Sequence, residues 1–326
     1  MSPPVLHDAV AVLATERDLT VDHVVTELAE RGVPTARVDT ADFPQHLTLT
    51  ARLGESGWGG ALTGEYREVD LGSLRSVYYR RPGQFQLAEG MSTPERGWAY
   101  REARMGFGGA LLGLGCLWVN DPRIVAGAEY KPTQLAIAQR CGLAVPDTLV
   151  TNDPVEAQRW ASRLDGPVVY KPLGGVRHVE EGTSTVVFTT TVEVEELADP
   201  ALALTAHCLQ AWVDKDHEAR VTIVGDHMFA VAIHADSSPA HQDWRRDYTT
   251  HRYTTVDVPS DIRVGLRRYM ATWGLSYGAA DFVITPEGEW VLLEVNPNGE
   301  WGWLAYHCDL PIAATLADLL EKGATS

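Results

Sequence analysis

Positive charge is scarce in this chain. Its 326 residues carry 27 Lys plus Arg against 44 Asp plus Glu, a formal net charge of −17. So acidic a chain lacks the basic footprint of a nucleic-acid binder and is repelled by anionic membrane surfaces. Neither nucleic acid nor membrane is therefore expected as a partner. Cysteine is scarce too. Cys116, Cys141, Cys208 and Cys308 lie far apart with no CxxC spacing. That argues against a zinc site or a disulfide framework and fits a reducing compartment. Long apolar runs are missing. The longest, Met105 to Val119, has 15 residues and five glycines. A membrane span needs about 18, so the run reads as a buried helix. The opening MSPPVLHDAV has neither the basic nor the apolar region of a signal peptide, and the expected location is cytoplasmic. GxxxxGK[ST], GxGxxG and GxSxG are all absent. His234, His241 and His251 lack ligand spacing, and no cysteine sits in a nucleophile motif.

What is present is an α/β pattern. The length suggests two or three domains. Ala9 to Ala14 reads as a buried strand, Thr20 to Arg31 as a helix closed by Gly32, and Thr35 to Asp39 as a second strand. Strands at Leu47 to Ala51 and Ser76 to Tyr79 follow, then a long helix from Glu95 to Leu117. A second region begins near Asn120. It has helices at Glu129 to Arg140 and Pro154 to Leu164, the latter capped by Asp153. Its strands are Thr148 to Val150, Val168 to Lys171 and Ser184 to Thr189, with a glycine-bearing loop at Pro172 to Thr183. The third region is richer in strands. Cys208 to Val213, Ala219 to Val224 and Met228 to His234 read as a meander. Ile262 to Trp273 reads as a helix, Tyr277 to Ile284 with Trp290 to Val295 as a hairpin, and the chain ends in two helices near Trp303 and from Pro311 to Lys322.

The chemistry centres on that hairpin. Asp281 and Glu294 are acids embedded in apolar strands, and Asn296 shares the face of Glu294. Two carboxylates and an amide oxygen form a hard oxygen set suited to Mg²⁺ and phosphates. From spacing alone, structural acids paired with arginines are the open alternative. Lysine is rare: Lys131, Lys171, Lys215 and Lys322 are the full set. Lys171 ends a strand before Gly174 and Gly175, where a point charge and close backbone approach suit phosphate. Lys131 opens a helix. Arg220 lies in an apolar strand, Arg245 beside Trp244, and Arg80 and Arg81 before Pro82. Arginines beside aromatic residues suit carboxylate or phosphate, while neutralisation of the many acids is the plainer alternative for each.

The order of these motifs resembles the ATP-grasp superfamily of carboxylate–amine ligases. Lys131, Lys171 with its glycine loop, Gln210-Ala211-Trp212-Val213, Glu218-Ala219-Arg220, Asp281 and Glu294-Val295-Asn296-Pro297 carry the resemblance over about residues 120 to 320. Tyr79 to Pro82, Val119 to Leu135 and Leu293 to Leu304 resemble, more narrowly, the ATP-grasp maturases that make graspetides. The implied fold is α/β. It has an N-terminal pre-ATP-grasp-like domain (1–120), a central α+β module (121–207) and a C-terminal strand-rich module (208–326).

The resemblance implies ATP and Mg²⁺ as cofactors and a ribosomally made precursor peptide as partner, with the protein a homodimer. Lys131 and Lys171 would meet the phosphates, with the Gly174–Gly175 loop over them. Gln210, Ala211, Trp212 and Val213 would form the adenine hinge, and Glu218 would lie near the ribose. Asp281, Glu294 and Asn296 would hold Mg²⁺. Arg220 and Arg245 would stabilise the transferred phosphoryl group, with Arg80 and Arg81 at the substrate. Position 300, where glutamine is expected as often as glutamate, is left without a role. The implied reaction phosphorylates Asp or Glu side chains and joins them to Ser, Thr or Lys side chains. Competing readings are a glutamate-ligase or glutathione-synthetase type of ATP-grasp enzyme, an ATP-grasp kinase, and a catalytically silent nucleotide- or peptide-binding module.

Overall fold

The computed structural model describes residues 3–55, 57–174, 177–180, 183–186, 189–235 and 251–324. The first region runs β1 (Val5–Leu6), β2 (Val10–Leu13), α1 (Leu19–Glu30), β3 (Thr35–Val38), β4 (Thr48–Gly54), β5 (Gly57–Thr63), β6 (Glu68–Asp70), β7 (Ser76–Tyr79), α2 (Thr93–Leu112) and β8 (Leu117–Val119). Strands β3-β2-β7-β8 form a parallel sheet, and β1-β6-β5-β4 form a smaller mixed sheet in the same region. Strand β2 is buried on both faces, as parallel strands are. Val10 and Val12 pack with Val21, Val24 and Leu28 of α1, while Ala11 and Leu13 join Phe107 and Leu111 of α2 on the other side. Asp18 caps α1 by accepting from the Thr20 and Val21 amides.

The apolar run Met105 to Val119 is not one buried helix. Helix α2 stops at Leu112, and the run's last residues become β8. Glycine lowers helix propensity, and Leu117–Val119 gain a strand partner in β7 instead. Met105 is 72% exposed.

The second region holds α3 (Pro122–Ala128), α4 (Lys131–Arg140), β9 (Thr148–Thr151), α5 (Pro154–Ala161), β10 (Val168–Lys171), β11 (Arg177–Glu180), β12 (Thr183–Val186), β13 (Thr190–Val192) and β14 (His207–Ala211). The antiparallel sheet β13-β10-β14-β9 is its scaffold. Where the sequence suggests only a glycine loop and then one strand, β11 and β12 pair as a hairpin.

The third region contains β15 (His217–Val224), β16 (His227–Ala235), β17 (His251–Val256), α6 (Ser260–Trp273), β18 (Tyr277–Ile284), β19 (Trp290–Asn296), α7 (Gly302–Cys308) and α8 (Ile312–Lys322). Its antiparallel sheet runs β17-β16-β15-β18-β19. The expected meander is therefore corrected. Strand β14 pairs with β9 and β10, not with β15, because its apolar residue Leu209 is buried against Ala157 and Val168 of the second region.

Alternation sorts the third sheet into two faces. Ala219, Val221, Ala280, Phe282 and Leu292 pack against Ile262, Leu266 and Tyr269 of α6. Glu218, Asp281 and Glu294 point the other way, towards the sheet of the second region, with Arg220 bonded to Asp281 on that face. The last helix returns to the start of the chain. Ile312, Leu316 and Leu320 of α8 complete the core under α1, and Ser76 Oγ donates to the Leu320 carbonyl at 2.8 Å. Among the described residues no helix is long and apolar enough to cross a membrane.

Candidate active site

A cleft opens between the sheet of the second region and the sheet of the third. Lys171, Gln210, Ala211, Trp212, Val213, Glu218, Asp281 and Glu294 all line it. Eight of the site residues read from the sequence thus converge from strands β10, β14, β15, β18 and β19 and from the two residues that follow β14.

One end of the cleft is built on β14 and the residues after it. Gln210 is buried, and its Nε2 donates to Thr148 Oγ1 at 2.9 Å. The Ala211 amide donates to the Asp147 carbonyl and the Trp212 amide to the Pro167 carbonyl, both at 2.9 Å. Among the described residues the next amide, that of Val213, has no acceptor, and an unpaired backbone N–H is a donor available to a ligand. Glu218 accepts from Lys215 Nζ at 2.5 Å, and Lys215 lies 5.8 Å from the Trp212 ring centroid. Lys215 had no role in the sequence reading. Its only signal there was the rarity of lysine.

The other end is the hairpin β18–β19. Asp281 and Glu294 are direct cross-strand partners, and a bulge at this point leaves Leu293 as the extra residue. The bulge sets two consecutive side chains, Leu293 and Glu294, on the cleft, while Leu292 stays in the core. Arg220 faces Asp281 from β15 and donates through Nε and Nη2 at 2.7 Å each. Lys131 Nζ donates to Glu294 Oε2 at 2.6 Å. Gln134 explains how Lys131 arrives there. It ties α4 to β19 by accepting from the Val295 amide at 2.9 Å and donating to the Ala128 carbonyl.

Both readings of the two acids are therefore visible. Each is paired with a cation, and both face the cleft. Asn296 lies two residues along β19 from Glu294, and its Oδ1 accepts from the Asn298 amide at 2.9 Å.

The donor set fits a hard cation. Among the described residues no three His, Cys, Asp or Glu side chains gather as a metal cluster. An ion here would draw on two carboxylates, one amide oxygen and non-protein oxygens, which is how Mg²⁺ is held beside phosphates. Lys171 ends β10 opposite Cys208. Gly174 follows with open space around it. Gly175 and Arg245 lie outside the described residues.

Arg80 and Arg81 stand at the carboxyl end of β7, the edge where parallel sheets present ligand-facing loops. They meet the loop that follows β19. Four successive carbonyls of that loop accept side-chain donors. Asn120 Nδ2 reaches Pro297 O at 2.8 Å, and Arg81 Nη2 reaches Asn298 O at 2.9 Å. Arg80 Nη1 and Tyr277 Oη reach Gly299 O at 3.0 and 2.7 Å, and Arg220 Nη1 reaches Glu300 O at 3.2 Å. Asn120 also donates to the Tyr277 carbonyl and accepts from the Ser276 and Tyr277 amides. The three stretches that carried the narrower resemblance thus meet at one junction beside the two acids. Arg80 is 1% exposed there. The sequence reading missed Asn120 as a site-organising residue and left Glu300 without a role.

The chain's relatives agree with this architecture. Residues 10–126 match the family profile of the MvdD pre-ATP grasp domain. A Chryseobacterium gregarium RiPP-associated ATP-grasp ligase, solved with ADP and a leader and core peptide, has a TM-score of 0.89 and 27% identity. That match covers 97% of this chain and 96% of that one. The macrocyclase MdnC of Microcystis aeruginosa, solved with its precursor peptide MdnA, has a TM-score of 0.82 and 28% identity over 96% and 98% of the two chains. The macrocyclase MdnB of the same organism has a TM-score of 0.76 and 30% identity over 98% and 99%. No curated protein matches the sequence. A pre-ATP-grasp domain at its start, and a match to these enzymes along nearly its whole length at up to 30% identity, place this protein in the family of ATP-grasp ligases that mature ribosomally made peptides, the graspetide maturases.

Proposed function

We propose that the protein uses ATP to activate Asp or Glu side chains of a ribosomal precursor peptide and joins them to Ser or Thr hydroxyls, as esters, or to Lys amines, as amides. Macrocycles result. The observation that carries this reading is the face-to-face pair Asp281–Glu294, each acid met by a cation, in a cleft also lined by Lys171 and by Gln210 to Val213. Similarity to ligases solved with ADP and precursor peptides supports it.

The roles follow from chemistry. Ala211 to Val213 present the hinge backbone to adenine, and Glu218 with Lys215 stands where the ribose lies. Lys131 and Lys171 neutralise phosphate charge, with Gly174 and Gly175 in the loop beside them. Asp281, Glu294 and Asn296 would hold Mg²⁺, which supplies charge neutralisation on the phosphates. A peptide carboxylate is a poor electrophile. Taking the γ-phosphoryl group gives it a good leaving group, and fixed cations at the transferring oxygens are most of what a protein contributes. Arg220, held in place by Asp281 and the Glu300 carbonyl, is one such cation, and Arg245 is proposed as a second. Arg81 meets the peptide, with Arg80 as its buried support. The hydroxyl or amine then displaces phosphate, with water excluded.

The reading includes a homodimer, tested by light scattering, and a reducing cytoplasmic setting. The decisive experiment is intact-mass analysis of a precursor peptide co-expressed with the protein. Loss of about 18 Da per ring, one water per condensation by acyl activation, is the expected result. An ATP-dependent mass gain on another acceptor, with no loss from the peptide, would instead mark an amino-acid ligase or a kinase.

A further inference from the structure

The side chain of Glu300 has no part in the chemistry above, yet its carboxylate is the hub of the junction. Arg81 Nη1 donates to Oε1 at 2.6 Å and Thr20 Oγ1 to Oε2 at 2.9 Å. Arg80 Nη2 lies 2.6 Å from Oε1 as an ion pair, without the alignment of a hydrogen bond. The network has a buried half and an open half. Arg80 is enclosed, whereas the Arg81 and Glu300 side chains are 49% and 40% exposed. The open half lies next to the reacting centre, because the carbonyl of Glu300 itself accepts from Arg220.

We propose that Glu300 holds the place of a substrate carboxylate on Arg81, and that an acidic side chain of the peptide displaces it on binding. This rests on the peptide-ligase reading above. The chemistry matches, since the group bound to Arg81 is the group such a substrate carries, and guanidinium favours carboxylate.

The exchange is also easy. An ion pair open to solvent at both partners is weak. Arg80 gives up its 2.6 Å contact with Glu300 but keeps the Asn298 and Gly299 carbonyls and has Asp18 at 3.6 Å. Arg81 stays aimed when Glu300 leaves, because Nη2 is held by the Asn298 carbonyl. Its backbone is set for this with φ at 45°. Residues other than glycine rarely adopt that conformation, and those that do concentrate at functional sites.

The test is binding, followed by fluorescence anisotropy. The probes are a short fluorescein-labelled peptide of alternating Glu and Thr and its twin with Gln at every Glu position. Glu300→Gln removes the competing charge but keeps an acceptor for Arg81 and Thr20. It is expected to tighten the Glu peptide by about threefold, the order an exposed ion pair allows, with the twin unchanged. Arg81→Gln is expected to erase the preference for the Glu peptide. Unchanged or weaker binding of the Glu peptide by Glu300→Gln overturns the proposal.

The mass assay on the same proteins separates the two levels. Ring formation by the wild type without the affinity change sinks the exchange and leaves the ligase reading standing. The affinity change without ring formation supports the exchange and counts against the ligase reading.

Discussion

Asp281 and Glu294 are cross-strand neighbours, yet their substitution should have different consequences. Asp281 and Arg220 are both buried, at 5% and 6% exposure. Removing one partner of a buried pair leaves an uncompensated charge, at a cost of about 3–5 kcal/mol. Asp281→Ala should therefore lose that much stability in urea unfolding, and Arg220→Met together with Asp281→Leu should lose less than Asp281→Ala alone. Glu294 and Lys131 are more open, with side chains 19% and 26% exposed. Glu294→Ala should cost only about 1–2 kcal/mol while abolishing Mg²⁺-dependent nucleotide binding by calorimetry. Unfolding of Glu294→Ala without nucleotide would mean that the residue is structural. The sequence made both acids visible as charges inside apolar strands. It did not separate their partners, because Arg220 and Lys131 reach them from distant parts of the chain.

At the scale of elements, the bulge in β19 decides which apolar residue is core and which is site. Leu292 is fully buried under α6, and Leu293 beside it lines the cleft. Leu292→Ala should cost about 2–5 kcal/mol as a core cavity and leave the ATP KM near its wild-type value. Leu293→Ala should do the reverse, raising the ATP KM several-fold with a loss below about 1 kcal/mol. Equal effects in both assays would show that the bulge does not sort the two. Both leucines read as one apolar flank in the sequence, since nothing in a run of Val-Leu-Leu marks an unpaired residue. Most of the elements themselves were legible. Ser76–Tyr79 and Tyr277–Ile284 coincide with their expected ranges, and Asp153 caps α5 as anticipated. Strand β17 and helix α3 were not anticipated, and glycine density hid the end of α2.

For the whole molecule, the junction around Asn120 binds the first sheet to the third. Its side chain satisfies two carbonyls and two amides, all buried or partly buried. Asn120→Ala strands those groups and should cost about 3 kcal/mol or more, with the N-terminal region unfolding at lower urea than the rest. A single coincident transition at the wild-type midpoint would argue against this coupling.

The same region sets the alkaline limit. Burial pushes the Cys116 thiol up from 9.0 to about 11, and burial likewise raises the Tyr78 and Tyr277 hydroxyls above 10.0. Each folded group holds its proton more tightly than the unfolded one. Stability is therefore undiminished below about pH 9 and falls as pH rises towards 11. Urea midpoints should show that decline, and iodoacetamide should label Cys116 slowly at pH 8 in the folded protein.

The sequence by itself determined the α/β alternation, the identity of the acids and lysines, and the family, because period-2 and helical spacing and motif order are local properties of the chain. Only the tertiary structure decided which cation meets which acid, why Tyr79-Arg80-Arg81-Pro82 lies beside Pro297 to Trp301, and that β14 belongs to the second sheet and α8 to the first region's core. Those pairings join residues more than 150 positions apart in the cases of Lys131–Glu294 and Arg80–Gly299. They are fixed by which buried faces and which buried polar groups find partners when the sheets close on one another.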